Sequence, residues 1–291
     1  MGNLFSAPTP MPASEAITFP NLGISVNPNN VAFVVAGQKP IYWYGIIIAI
    51  GFILAYVYIS RRARRFGLTS DDALDVMLWA VPVGVVCARA YYCIFYWKLY
   101  ADDPISVLYI WKGGLAIYGG IIGGVIALIF VAKHKKVPAM TVLDLAAPGV
   151  MIGQIFGRWG NFFNREAYGA ATESFFKMGY HGTFWHPTFL YESVWNLIGF
   201  TVLHFYAPKR KFDGEIVLLY IAWYGLGRAW IEGLRTDSLM LFSTNIRVSQ
   251  ALAIFSCTAA ILGIVLTHVL RRPKAKDLYV NQKAKKESEN A

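Results

Sequence analysis

Signatures for binding metals and nucleotides are missing from this chain. There is no HExxH motif, no Cys/His cluster with ligand spacing, and no glycine loop of the Walker or dinucleotide-binding kind. Neither a metal nor a cofactor is therefore expected. Cysteine is scarce as well. Cys87, Cys93 and Cys257 all lie in apolar runs, and an odd count closes no disulfide framework. They read as small buried hydrophobes, so a cysteine nucleophile supplied by the chain is not expected. Charge is sparse at 15%, and the basic residues do not gather on one face among aromatics, which leaves no nucleic-acid partner to expect. The first residues lack a basic n-region and an apolar h-region, so they do not read as a cleavable signal peptide. Met1-Gly2 with Ser6 fits a myristoylation pattern, but the arm that carries it is expected on the non-cytoplasmic side.

What is present is apolar. The 291 residues are 56% hydrophobic with a mean hydropathy of +0.44, too apolar for an ordinary soluble domain. The pattern predicts an all-α membrane protein with seven transmembrane helices at about 41–60, 73–97, 114–132, 140–158, 188–207, 215–232 and 249–270, each long enough for a bilayer core of about 30 Å. Alternate connections are basic. Arg61, Arg62, Arg64 and Arg65 follow the first helix, Lys133, Lys135 and Lys136 the third, Lys209, Arg210 and Lys211 the fifth, and seven more basic residues follow the seventh. Together these hold 17 of the 27 Lys and Arg. The positive-inside rule makes that side cytoplasmic, with the N-terminus outside and the C-terminus inside.

The expected organisation has three parts. Residues 1–40 form an extracytoplasmic N-terminal surface arm, with the Pro-, Ala-, Ser- and Thr-rich first 20 residues disordered. Residues 41–270 form the seven-helix transmembrane domain, with a small extracytoplasmic head at about 161–186. Residues 271–291 form a basic cytoplasmic tail that faces anionic lipid.

Four arginines remain inside or at the ends of the apolar runs: Arg89, Arg158, Arg228 and Arg235. Charge at such depth is rare and faces a protein or aqueous interior. Tyr224, Arg228, Glu232 and Arg235 are spaced to share one helical face, where Glu232 pairs with one arginine or both. One carboxylate facing two arginines leaves that face net positive. The stretch Gly157–Gly169 adds Arg158, Asn161, Asn164 and Glu166, and its glycines predict a helix that breaks up and exposes backbone. Gly119/Gly123 and Gly120/Gly124 fit small-xxx-small helix packing beside Tyr118. His186 and Glu192 stand at the start of the fifth helix. Arginine forks match phosphate oxygens in pairs, so the plainest ligand is the phosphate of a membrane lipid.

These residues carry a resemblance. The GRWGNFFNREAYG stretch from Gly157 to Gly169, together with Trp43-Tyr44-Gly45, Arg89, Tyr118-Gly119-Gly120, Asp144 with Pro148, His186-Pro187 with Leu190-Tyr191-Glu192, and Tyr224-x3-Arg228-x3-Glu232-x2-Arg235, is similar to the prolipoprotein diacylglyceryl transferases. The likeness runs from about Phe19 to the seventh helix. It implies a bacterial inner-membrane, multi-pass enzyme with its active site on the extracytoplasmic side. Its partners are phosphatidylglycerol, the signal peptides of preprolipoproteins and the bilayer. It implies transfer of diacylglyceryl to the lipobox cysteine thiol, with glycerol phosphate leaving. By this likeness Arg158 and Arg228 stabilise the phosphate. Asn161, Glu166 and Tyr44 position the head group, and Glu232 holds Arg228 and Arg235. Gly169, Tyr224, Arg89 and His186 complete the expected binding set.

One departure stands out. Many members have histidines where this chain has Tyr118 and Tyr42. Tyrosine, with an ordinary pKa near 10, is a weak base unless arginines lower it. The expectation is that the positive field lowers the thiol pKa while Tyr118 contributes a hydrogen bond, with His186 as a spare base. Two other readings are a lipid or anion transporter and a different phospholipid-headgroup transferase.

Overall fold

In the computed structural model, residues 15–35, 39–180, 182–235 and 247–290 are described. The expected disorder of residues 1–20 falls outside them up to residue 14, and it is corrected at Ile17–Phe19, which form a strand. Eight α-helices occur among the described residues: α1 (Trp43–Arg62), α2 (Ser70–Phe95), α3 (Ile117–His134), α4 (Ala139–Phe163), α5 (Thr188–Tyr206), α6 (Glu215–Glu232), α7 (Val248–Leu266) and α8 (Tyr279–Glu289). The first seven fall on the seven expected runs within a few residues. Among the described residues, five candidate spans are long and apolar enough to cross a membrane: Trp43–Phe66, Ser70–Phe95, Ile117–His134, Ala139–Phe163 and Val248–Arg271. Helices α5 and α6 are 19 and 18 residues long but more polar. Glu192, Ser193 and Asn196 interrupt the first, and Glu215, Arg228 and Glu232 the second.

The all-α expectation needs correction outside the helices. Strands β1 (Ile17–Phe19), β2 (Ile24–Val26), β5 (Met178–Tyr180) and β6 (Thr183–Trp185) form one antiparallel sheet in the order β2-β1-β5-β6. Strands β3 (Val31–Val35) and β4 (Lys39–Tyr42) form a separate hairpin. The sheet joins the arm to the head, pairing Thr18 with Gly179. Ile17, Phe19, Met178, Tyr180 and Phe189 make the core beneath it, with Phe162 packed on.

The chain divides into two compact units. One comprises Met1–Ala55, Pro148–Lys209 and Leu218–Arg272, and the other Tyr56–Ala147, Arg210–Val217 and Pro273–Ala291.

In the second unit, a capping box starts α2. The Asp72 amide donates to Thr69 Oγ1 at 3.1 Å, and the Thr69 amide donates to Asp72 Oδ2 at 2.9 Å, which satisfies two amides that a helix start leaves open. Helices α2 and α3 lie close because Gly119 and Gly123 present no side chain. A Cβ on Gly119 would run into the backbone of Cys87 and Ala88, and one on Gly123 would meet Val83 O at 2.7 Å. Gly124 faces open space and Gly120 makes only ordinary contact, so one of the two expected glycine pairs forms the seam.

Asp144 in α4 is fully buried and accepts from the amides of Gly214 (2.7 Å) and Val217 (2.8 Å). A carboxylate at those open donors suits the positive end of α6. The tail is also ordered. Leu278 is buried, the Tyr279 amide donates to Asp213 Oδ2 at 2.8 Å, and Lys283 donates to Gly67 O at 3.0 Å. The basic tail thus folds as the docked helix α8, with Lys285 and Glu289 paired on its exposed side.

Candidate active site

In the first unit, aromatic donors bind three helices together. Trp159 of α4 donates to Ser193 Oγ of α5 at 3.1 Å, and Ser193 donates back to Ile155 O at 3.2 Å. Between α5 and α6 the bonds are reciprocal. Trp195 Nε1 donates to Trp223 O and Trp223 Nε1 to Trp195 O, both at 3.0 Å, with the indoles stacked at 4.7 Å. Gly199 and Gly227 leave room for those indoles, since a Cβ at either would collide with the opposite ring. Buried indole N–H groups need acceptors, so this seam fixes the rotation of α6 against α5.

That rotation places Arg158 of α4 and Arg228 of α6 on one carboxylate of α5. Glu192 Oε1 lies 2.6 Å from Arg158 Nη2, and Oε2 lies 3.1 Å from Arg228 Nη1. Glu232 Oε2 lies 2.6 Å from Arg228 Nη2, one helical turn along. Ser249 Oγ donates to Glu232 Oε1 at 2.5 Å, and Arg247 donates to the Glu232 carbonyl. The two glutamate side chains are 3% exposed, against 21% for Arg158 and 18% for Arg228. The arginines are thus the reachable members, each backed by a buried carboxylate. The expectation had Glu232 alone facing Arg228 and Arg235; the structure adds Glu192 as a second carboxylate, shared by Arg158 and Arg228.

From Arg158 the polar chain continues. Its Nη1 lies 3.5 Å from Asn161 Oδ1, at the limit of a hydrogen bond. Asn161 and Asn164 donate to Glu166 Oε1 at 3.0 and 3.1 Å, and the Glu166 amide donates to Asn161 O at 3.1 Å. Helix α4 does not break at Gly157 and Gly160, as their presence suggested. It runs on to Phe163, because Gly160 serves a contact instead. A Cβ there would come within 2.6 Å of the Tyr44 ring.

Gly169 likewise admits close neighbours. A Cβ would meet His186 Cβ at 2.7 Å and Leu234 O at 2.8 Å, while the Gly169 amide donates to His186 O at 2.9 Å. Gly169 also bridges Arg235. Arg235 therefore does not share the face of Tyr224, Arg228 and Glu232, since α6 ends at Glu232 and the chain turns before it. His186 Nδ1 lies 3.3 Å from the Tyr191 hydroxyl. Burial lowers its pKa, which favours the neutral ring. Tyr224 stacks along α6 on Tyr220, whose hydroxyl accepts from Gln154 at 2.9 Å.

Arg89 and Tyr118 belong to the second unit. Arg89 is buried and gives its donors to backbone carbonyls. Nε bonds Val107 (2.7 Å), Nη2 bonds Ser106 (2.8 Å), and Nη1 bonds Gly113 (2.7 Å) and Gly114 (3.0 Å), with the guanidinium over Tyr100. It holds the α2–α3 connection. The half-buried Tyr118 ring lies 6.5 Å from that of Tyr91.

Residues 30–266 match the family model described as prolipoprotein diacylglyceryl transferase. The chain belongs to that family. It is 48% identical over 272 residues to the phosphatidylglycerol–prolipoprotein diacylglyceryl transferase of Enterococcus faecalis, covering 89% of this chain and 96% of the relative. The enzyme so named in Halalkalibacterium halodurans is 42% identical over 249 residues, 81% of this chain and 86% of its own. That of Lactiplantibacillus plantarum is 44% identical over 232 residues, 75% and 82%. As a diacylglyceryl transferase family member with five apolar spans, the chain is a multi-pass membrane transferase. Glu192, Ser249 and Arg247 are site neighbours that sequence spacing left unassigned. Glu192 stands out in the sequence as a carboxylate at the start of an apolar run, but its arginine partners do not.

Proposed function

We propose that this chain transfers the diacylglyceryl group of phosphatidylglycerol to the lipobox cysteine of preprolipoprotein signal peptides, the first step of lipoprotein maturation. The arrangement that best supports this is the pair of reachable arginines, Arg158 and Arg228, aligned on buried Glu192. The sulfur attacks the glyceryl carbon bonded to the phosphate oxygen. A C–S bond forms as the C–O bond breaks, and the electron pair leaves on glycerol phosphate. The thiol proton must depart, since the thiolate is the nucleophile. Guanidinium groups at the phosphate stabilise the growing charge. Their fork suits phosphate oxygens, and the glutamates behind them keep the forks oriented before substrate arrives.

In this reading Asn161, Glu166 and Tyr44 hold the glycerol head group, and Gly169 lets the loop close against His186. Tyr118 supplies a hydrogen bond to the thiol, and His186 is the spare base. Arg89 acts by holding the α2–α3 connection. The chain crosses a bacterial cell membrane seven times with the site outside and α8 in the cytoplasm, as the charge asymmetry favours. The exposed Phe33, Val34 and Val35 of the β3–β4 hairpin suit an arm that rests on lipid. A transporter or another headgroup transferase finds no support in the relatives.

The test is direct. Purified chain is incubated with phosphatidylglycerol and a lipobox peptide. The expected products are thioether-linked diacylglyceryl peptide and glycerol phosphate in equal amounts. Absence of both ends the proposal.

A further inference from the structure

Arg165 stands between Asn164 and Glu166, yet its side chain leaves them. The residue is 4% exposed. Nε and Nη2 donate to Pro28 O at 3.0 and 2.9 Å, Nη1 donates to Glu15 O at 2.6 Å, and Nη2 also bonds Asn27 Oδ1. These acceptors lie 137–150 positions away, in the N-terminal arm. The backbone at Arg165 is left-handed (φ +55°), as it is at Ala167 (φ +57°), a region that glycine enters freely and other residues rarely. The turn therefore holds an uncommon conformation in which Arg165 reaches the arm while Glu166 accepts from Asn161 and Asn164. The arm touches this segment a second time through the core of Ile17, Phe19, Met178, Tyr180 and Phe189, on which Phe162 packs.

We infer that Arg165 is a positioning residue that locks the N-terminal arm to the Asn161–Glu166 turn, so that the arm sets the geometry of head-group binding. A guanidinium makes several parallel bonds to fixed carbonyls, so it transmits the arm's position to the turn more rigidly than a single contact does. The kinetic part rests on the proposed transfer reaction; the exchange part below does not.

The decisive substitution is Arg165→Gly, which removes the side chain and suits the left-handed backbone. Asn27→Ala is the companion, since it removes an acceptor while keeping Arg165. For Arg165→Gly the expected result is a rise of about 10-fold in KM for phosphatidylglycerol, with kcat within about twofold and KM for the peptide unchanged. Asn27→Ala shifts the same constant in the same direction, and the double variant is less than additive. Arg165→Lys restores part of the loss. Amide exchange in intact protein is expected to quicken in residues 160–169 together with residues 15–30. A role in bulk folding alone would lower kcat through a smaller active fraction and leave KM alone, which would overturn the inference. Faster exchange in the arm with none in residues 160–169 would overturn it too. If wild-type protein transfers nothing, the proposed function falls, and the exchange measurement still decides the role of Arg165.

Discussion

Both oxygens of Glu192 face guanidinium groups, 2.6 and 3.1 Å away, and its side chain is 3% exposed. Removing one member of such a cluster leaves buried charge uncompensated, at a cost of about 3–5 kcal/mol. Glu192→Gln leaves Arg158 and Arg228 facing each other across a neutral amide. We expect kcat/KM to fall on the order of 10²-fold, together with a lower thermal midpoint, and Glu192→Asp to recover part of both. Transfer kinetics and a detergent melt check this, and unchanged kcat/KM would show that the arginines need no shared carboxylate.

His186 gives a pH prediction. Its folded pKa is depressed by burial, so the unfolded chain takes up its proton first as pH falls from about 6.5. Stability is then full above that pH and drops as pH falls through the lower folded value. A pH series of melts should show a smaller acid-side loss in His186→Gln. At this scale the sequence was legible where charge stood in apolar runs, as at Arg158, Arg228 and Glu232. It was not legible for partners. Arg89 and Arg158 look alike in sequence, yet one bonds four backbone carbonyls and the other an ion pair.

Among the elements, α2 and α3 show how spacing and packing differ. The two glycine pairs Gly119/Gly123 and Gly120/Gly124 have the same period, but only the first turns to α2. Gly119→Ala places a methyl against the backbone of Cys87 and Ala88, which no rotamer change relieves. We expect it to cost about 1–3 kcal/mol. Gly124→Ala meets nothing within 4 Å and should be neutral or stabilising by up to about 1 kcal/mol from helix propensity. Paired thermal melts separate them, and equal losses would mean that the seam lies elsewhere. Helix positions were legible because hydropathy is local. Helix ends were less so. Helix α4 continues through Gly157 and Gly160, where glycine content alone predicts a break, because Tyr44 occupies the space that a side chain would take.

For the whole molecule, the charge asymmetry predicts a sidedness. In a background with the native cysteines replaced, Glu173→Cys in the head loop should react with an impermeant maleimide from outside intact cells. Glu289→Cys at the end of α8 should react only after permeabilisation. Labelling of both from one side would contradict an odd number of crossings.

The sequence by itself determined the seven helical runs, the alternation of charge and the family, because hydropathy, charge and motif order are properties of neighbours along the chain. Only the tertiary structure decided three things. Glu192 stands between two arginines of other helices, the arm completes the head's sheet, and Arg165 belongs to that arm. Each joins residues that are far apart in sequence, and no local pattern records which distant acceptor a buried donor will meet.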